Sequence, residues 1–524
     1  MSNDKKYDSI PLIESYTSIY GVIGVCGVVG NLVARVLLDH DLKVVGTDYK
    51  SEAKCKFKYT LEDYDLPLYL AGHPEDFFKK SNYLILPPSL SQSSNLYKKV
   101  IDSGSEVLEV DDILNMIKPD KPVLCITGTN GKTTTTTLLK HMCNYSGITT
   151  TEHGFKELQG NIDYIPPLQC RLQGDAAILE TGTFGVPGDL KFILERCDPL
   201  CGIITNITPD HMPDHQDFLS YAAIKSEFLD YLKDKMLIIN ADDPTITGLI
   251  NNLSSDTTGH IITFGVDYNE TVVNKKLCCC GREIILEETI SGMGYYHCEC
   301  GVERLQPDYL ATDIDKDGFI LQTPEDVFNV HTSIMGLHNI YNILGAIIAA
   351  IEFFNIPIDD VITVVESFKG VPGRLDYIGN FQGKEVIIDY AHNPGGVETV
   401  LRELRKIHKR IAVVITVSSE SGESGDICIL NKCLENADFI IPASFYSRKV
   451  ADELMESLMS EKILLTPENP QEFKKRTLGA NLEQVINGLE MALECDVPAV
   501  VCIGEAAFKY KDDIYKKLHY LFYP

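Results

Sequence analysis

The run Gly128-Thr129-Asn130-Gly131-Lys132-Thr133-Thr134 brings together the groups that hold a polyphosphate. Its glycines let successive backbone N–H groups curl round phosphate oxygens, and a helix opening there adds its positive end. Lys132 can reach the terminal phosphates, and the Thr133 hydroxyl can join Mg2+. The loop is shorter than the G-x-x-x-x-G-K-[ST] form, since Ile126 stands five positions before Gly131. The magnesium of such a site needs hard oxygen ligands. Glu180 closes the apolar run A-A-I-L-E, and Asp210 and His211 follow I-I-T-N-I-T. Singly, each reads more readily as an ordinary loop polar residue; their joint placement after successive strands makes them a candidate set.

Two further clusters suggest chemistry. Five of the sixteen cysteines fall within residues 278–300, as two Cys-Gly knuckles separated by hairpin-like sequence. That is the mark of a zinc ribbon, its four ligands drawn from Cys278, Cys279, Cys280, His297, Cys298 and Cys300. The C-x-C spacing favours Cys278, Cys280, Cys298 and Cys300, a closed and therefore structural site. Near the N-terminus, G-V-I-G-V-C-G-V-V-G places glycines at 24, 27 and 30, and K-V-V-G-T-D ends on Asp48. Glycine turn, helix and acid-terminated strand form a nucleotide-binding opening, with Gly24, Cys26, Gly27 and Asp48 as substrate contacts; the bland alternative is close helix-on-strand packing.

These residues need elements to position them. P-V-L-C-I-T reads as a strand before the phosphate loop and Thr135–Tyr145 as the helix after it, with further strand-turn-helix units at Ala176–Glu180, Gly202–Asn206 and Met236–Asn240. Repeated β-then-α alternation predicts a mostly parallel sheet with helices on both faces. Residues 271–330 break the rhythm as an insertion, helix Asn339–Phe354 resumes it, and V-P-G-R at 371–374 reads as a linker. The expected fold class is therefore α/β in three domains. Residues 1–118 form a Rossmann-like nucleotide-binding domain. Residues 119–371 form a P-loop ATPase-type doubly wound parallel sheet with the zinc ribbon inserted at 271–330. Residues 372–524 form a second Rossmann-like α/β domain, with strands at Glu385–Asp389, Ile411–Val417, Phe439–Ile441 and Ala499–Ile503.

Three domains also suit 524 residues at roughly 150 per domain. With 47 Lys and Arg against 75 Asp and Glu, the net charge is −28. This argues against nucleic-acid coating, which needs a basic footprint. The chain opens with the polar stretch Met1–Ser9, without a signal core. Its longest apolar candidate, Leu337–Asn355, is interrupted by His338, Asn339, Asn342 and Glu352. A cytoplasmic, reducing habitat follows, with no membrane or nucleic-acid partner, a monomeric state, and reduced cysteines outside the metal set.

An ordered series of motifs then carries a resemblance: G-T-N-G-K-T-T (128–134), E-T-G (180–182), N-I-T-P-D-H (206–211), A-A-I-K (222–225), N-A-D-D-P (240–244), G-L-H-N-I-Y-N (336–342), G-R-L-D (373–376) and D-Y-A-H-N-P (389–394). The chain resembles the Mur ligases, ATP-dependent amide-bond-forming enzymes. The resemblance implies that a substrate carboxylate is phosphorylated by ATP to an acyl phosphate, which the incoming amine attacks. It implies ATP contacts from Gly128, Thr129, Asn130, Gly131, Lys132, Thr133 and Thr134, with Asn339 on adenine, Arg374 on the γ-phosphate and Asp389 on the ribose. It implies one Mg2+ on Thr133 and Glu180 and a second held by His211, with Lys225 carbamylated into a carboxylate-like ligand. Lys132, Lys225, His211 and Arg374 would be the catalytic set, and Asn161, His392 and Asn393 would join the substrate contacts. The implied partners are a UDP-linked or similar anionic peptide precursor and an amino acid. A D-N-P-R signature that selects diaminopimelate is absent, S-S-E-S-G-E-S-G-D standing at 418–426 instead. The ribbon resembles that of the MurT-type synthetase subunit, which takes ammonia from a glutaminase partner. The full combination is similar to archaeal ligases proposed to build pseudomurein. Peptide ligation is thus the first reading, a MurT-like amidotransferase subunit the alternative, and a non-catalytic nucleotide-binding module the third.

Overall fold

The computed structural model describes residues 17–522 except 157, 209–217, 254–258, 268–273, 291–292, 335, 337, 418–421, 445–446, 453–460 and 466–478. His211 and Asp210, proposed as metal-site residues, lie outside the described residues, as do residues 418–421 of the acidic loop. The chain divides into two compact units. The first comprises residues 1–125, 147–183 and 188–201, and the second comprises 126–146, 184–187 and 202–524.

In the first unit, five parallel strands lie in the order Leu68–Tyr69, Lys43–Thr47, Ile19–Ile23, Tyr83–Ile85, Glu106–Leu108. The order reverses beside Ile19–Ile23, and at such a switch point the carboxyl ends of the strands open a crevice. The glycine turn sits there, and helix Val28–Asp39 buries Leu32, Val33, Val36 and Leu37, an i, i+1, i+4, i+5 stripe, against the sheet cluster. Among the described residues Arg171 is the largest fully buried side chain, 1% exposed. It donates to the carbonyls of Ile117, Leu114 and Arg196 and to Pro167 O. Arg171→Met is therefore expected to strip several buried carbonyls of their donor and lower stability by about 3–5 kcal/mol, read as a fall in urea midpoint.

The sheet that carries the phosphate loop runs Val327–His331, Gly318–Gln322, Tyr309–Thr312, His260–Val266, Met236–Asn240, Cys201–Ile204, Val123–Thr127, Ala177–Glu180. Its inner strands are continuously apolar, as buried parallel strands are. One boundary needs correction. Residues 309–331 are not part of the insertion: Tyr309–Thr312 pairs in parallel with His260–Val266, and two antiparallel strands extend the sheet beyond it. Alternation in G-F-I-L-Q, with Phe319 and Leu321 buried, builds this edge. The Cys-rich insertion is a separate three-stranded sheet of Asn274–Leu277, Glu283–Ile290 and Met293–Tyr295.

The C-terminal sheet runs Asp376–Phe381, Lys384–Asp389, Ala499–Ile503, Ile411–Ile415, Phe439–Pro442, with only the first pair antiparallel. Ile411, Val413 and Ile415 enter one apolar cluster, and Ala412 and Val414 the other, so both faces are covered. The architecture is α/β with parallel-rich sheets in three regions. Among the described residues no helix is long and apolar enough to cross a membrane.

Candidate functional site

The phosphate loop begins where strand Val123–Thr127 ends and helix Lys132–Tyr145 starts. Gly128 (φ +141°) and Gly131 (φ +88°) occupy conformations that L side chains rarely adopt. A Cβ would fall 2.0 Å from Thr205 Oγ1 at the first and 2.1 Å from Asn342 Oδ1 at the second. The motif after strand Cys201–Ile204 braces this loop. Thr129 N donates to Asn206 O (2.8 Å), Asn130 N to Asn206 Oδ1 (3.0 Å), and Thr208 N to Thr129 Oγ1 (3.0 Å). Lys132 Nζ folds back over the loop onto Gly128 O and Thr129 O, both at 2.9 Å.

A cleft in the second unit is lined by Asn130, Gly131, Thr133 and Thr134 together with Asn339, Arg374, Asp389 and His392. Arg374 Nη2 lies 3.5 Å from Thr133 Oγ1, its guanidinium 4.7 Å from the Tyr390 ring centroid. Asn393 donates to Asn130 Oδ1 (3.3 Å) and caps helix Pro394–Ile407 through Gly396 N. Asp389 accepts from Leu375 N and Ala391 N, both at 2.7 Å, and burial pushes its carboxyl up despite Arg374 nearby. Asn342 Nδ2 donates to Asn339 Oδ1 (2.8 Å) at the start of helix His338–Ile348. Lys225 is 1% exposed, its Nζ 3.4 Å from both Thr127 Oγ1 and Gly128 O.

The first unit holds Glu180, Asn161 and the predicted residues of the N-terminal glycine turn. Glu180, at the end of its strand, accepts from Asn161 Nδ2 at 2.7 Å. Gly24 turns with φ +79°, and a Cβ on Gly30 would meet Gly24 O at 2.4 Å, so this loop needs both. Asp48 accepts from Cys26 N and Lys50 N, each at 2.9 Å, and so folds the turn. Cys26 departs from expectation. It forms a disulfide with Cys55 (S–S 1.99 Å), because the short turns after strand Lys43–Thr47 return Cys55 to the glycine loop. Its thiol is not available to a substrate, and these two cysteines are not reduced.

In the insertion, Cys278, Cys280, Cys298 and Cys300 place their sulfurs within 4.8 Å of one another. Four sulfurs about 2.3 Å from a tetrahedral ion stand about 3.8 Å apart. The separations of 3.5 Å for Cys278–Cys300 and 3.7 Å for Cys280–Cys298 fit that set. Cys279 is outside this group, its sulfur 3.9 Å from Cys278 Sγ and 3.9 Å from Asn252 Nδ2, and His297 faces Glu303 at 3.7 Å.

Among the cleft residues that sequence reasoning missed are His338, Tyr341 and Met293. G-L-H-N-I-Y-N carried a signal for the first two, lying one turn apart; Met293 had none. Burial lowers the His338 pKa to about 4, Asp389 opposing and Arg374 assisting, and its Nδ1 has no hydrogen-bond partner among the described residues. A folded value below the unfolded one means this histidine contributes stability above pH 6.5 that is lost as pH falls toward 4. The loss is about 3 kcal/mol at one pKa unit per 1.36 kcal/mol. Urea midpoints between pH 7 and 4 are expected to fall accordingly, and His338→Asn to flatten that slope.

The sequence matches the Mur ligase middle domain over residues 126–350 and the Mur ligase glutamate ligase domain over 373–504. A pseudomurein peptide ligase type C from Methanothermus fervidus is 34% identical, covering 96% of this chain and 100% of its own, with a TM-score of 0.82. The chain belongs to the Mur ligase family. A UDP-N-acetylmuramate–L-alanine ligase of Clostridium kluyveri is 24% identical over 84% of this chain and 87% of its own. A UDP-N-acetylmuramoylalanine–D-glutamate ligase of Caldanaerobacter subterraneus is 29% identical over 68% of each. Like other Mur ligases, the chain is an ATP-dependent ligase that uses Mg2+.

Proposed function

We propose that this Mur ligase joins an amino acid to the carboxylate of a nucleotide-linked peptide precursor in pseudomurein synthesis, as a monomer in the cytoplasm. The observation that carries this is the cleft in which the phosphate loop, Asn339, Arg374 and the Asp389–Asn393 loop converge. The similarity to the Methanothermus fervidus ligase supports the polymer, and the glycine turn of the first unit supports a nucleotide-linked precursor. In this reading residues 1–118 bind the precursor, 119–371 bind ATP, and 372–524 bind the amino acid, residues 418–426 included.

The Thr133 hydroxyl and the Glu180 carboxylate are hard oxygen donors of the kind Mg2+ takes, and a carbamate on Lys225 would add a third. His211 would serve a second magnesium. The metal, when bound, neutralises charge on the transferring phosphoryl group. Lys132 and Arg374 hold the γ-phosphate in line with the carboxylate, which Asn161 orients. Asn339 holds adenine and Asp389 the ribose, while His392 and Asn393 close the loop over the site. A carboxylate oxygen attacks the γ-phosphorus and ADP leaves. The amine then attacks the carbonyl carbon and loses its proton, and phosphate departs with the former carboxylate oxygen. Lys132 stabilises the charge that builds on the phosphoryl oxygens. The four thiolates would hold a structural zinc.

Mass spectrometry of products from UDP-linked precursors, amino acids and ATP tests this proposal. A precursor heavier by one amino-acid residue is expected. A product amidated by ammonia, formed only with a glutaminase chain present, would instead establish the MurT-like reading.

A further inference from the structure

The Cys-rich insertion is not a free appendage of the second unit. Its small core contains Cys278, Ile284, Leu286, Tyr296, Cys298 and Val302, too little apolar surface to hold a shape alone. Its third strand, Met293–Tyr295, runs against the N-A-D-D-P segment. Gly294 N donates to Asp242 O (3.0 Å), and Tyr296 OH donates to Ala241 O (2.8 Å) and meets Thr247 Oγ1 (2.7 Å). Arg304 Nε reaches Asp242 Oδ1 at 2.6 Å, while Tyr341 OH donates to Asp242 Oδ2 at 2.9 Å. Lys276 and Asp243, both buried, pair at 2.6 Å, and Asp243 Oδ2 also accepts Ile207 N.

These ties set down one side chain in particular. Met293, 4% exposed, lines the cleft beside Asn206, Asn339 and Tyr341, its sulfur 3.1 Å from Asn240 Nδ2. An apolar, polarisable thioether in a cleft lined by both polar and apolar groups is suited to the edge or face of an aromatic ring, and a purine offers one.

We infer that the Cys-rich hairpin is a working wall of the nucleotide site: Met293 packs against the base of the bound nucleotide, and the metal held by Cys278, Cys280, Cys298 and Cys300 keeps it in place. The inference rests on reading the cleft as the ATP site, and it makes Met293 a specificity-determining residue and the ribbon a positioning device.

The test is equilibrium binding to the full, zinc-loaded chain, comparing a non-hydrolysable ATP analogue with inorganic triphosphate, which has the phosphates without the base. Met293→Ala is expected to weaken the analogue about three- to tenfold and leave triphosphate unchanged, with Met293→Leu close to the parent. Removal of zinc by a chelator is expected to weaken the analogue by at least as much, again sparing triphosphate. Lys132→Ala is expected to weaken both ligands; if it weakens neither, the cleft is not the ATP site. If Lys132→Ala weakens both while Met293→Ala and zinc removal leave analogue binding untouched, the ATP site stands and this inference is overturned. Equal losses of both ligands in Met293→Ala would also overturn it, because the side chain would then be supporting the whole cleft rather than the base.

Discussion

Lys132→Ala lowers ATP-driven phosphate release by at least about a hundredfold, a loss of 2.7–4 kcal/mol or more of transition-state stabilisation, while leaving a folded chain. The size follows from where the charge develops. In phosphoryl transfer it spreads over the equatorial oxygens of the moving group, and the protein contributes chiefly positioning and fixed positive charge. Lys132 Nζ already lies across the loop, held by Gly128 O and Thr129 O, so little reorganisation is needed for it to meet a phosphate there. Arg374 does not substitute for it: its guanidinium lies against the Tyr390 ring with Nη2 3.5 Å from Thr133 Oγ1, beside the loop rather than folded onto its carbonyls. Lys132→Arg is expected to recover little, because a planar fork cannot enter a loop shaped for a point charge. Far-ultraviolet circular dichroism close to the parent, with phosphate release near background, is the expected pair of readings. Retained turnover would remove the loop from the chemistry.

Zinc removal has the larger expected effect on structure. Structural zinc in small thiolate sites contributes on the order of 10–16 kcal/mol, more than the few apolar residues of the insertion can replace. The knuckle hydrogen bonds are the reporters: Cys278 N to Arg282 O (2.8 Å), Gly281 N to Cys278 O (2.9 Å), Cys298 N to Val302 O (2.7 Å) and Gly301 N to Cys298 O (2.9 Å). One zinc per chain is expected, and its removal is expected to abolish hydrogen-exchange protection at these four amides. Strands Ile411–Ile415 and Ala499–Ile503, in a separate sheet, are expected to stay protected. Knuckle amides that remain protected without metal would show that the cysteines are a packed cluster and not a metal site.

The contrast between residues that were readable in the sequence and those that were not is physical. The phosphate loop was readable because its demands are local: glycine conformations, a lysine and a hydroxyl at fixed offsets, between a strand and a helix. The clustering of Cys278, Cys280, Cys298 and Cys300 was readable for the same reason, each knuckle being three residues of one turn. Strands Gly318–Gln322 and Val327–His331 read from sequence as part of the insertion because their partner in the sheet, Tyr309–Thr312, is recognisable as part of the main sheet only through its contact with His260–Val266. The Cys26–Cys55 disulfide spans 29 residues and depends on how the intervening turns fold back, which spacing does not encode. Met293 reaches the cleft through ties to Asp242 and Ala241 some fifty residues earlier in the chain, and no local pattern marks it.

This Mur ligase is expected to activate a carboxylate by phosphorylating it, and turnover of a precursor whose carboxylate carries oxygen-18, with ATP and the amino acid, reads that step out. If phosphate leaves from an acyl phosphate, one labelled oxygen appears in each phosphate released and the other stays in the new amide. Unlabelled phosphate alongside amide product would mean that ATP is cleaved by water or elsewhere, and that no acyl phosphate forms.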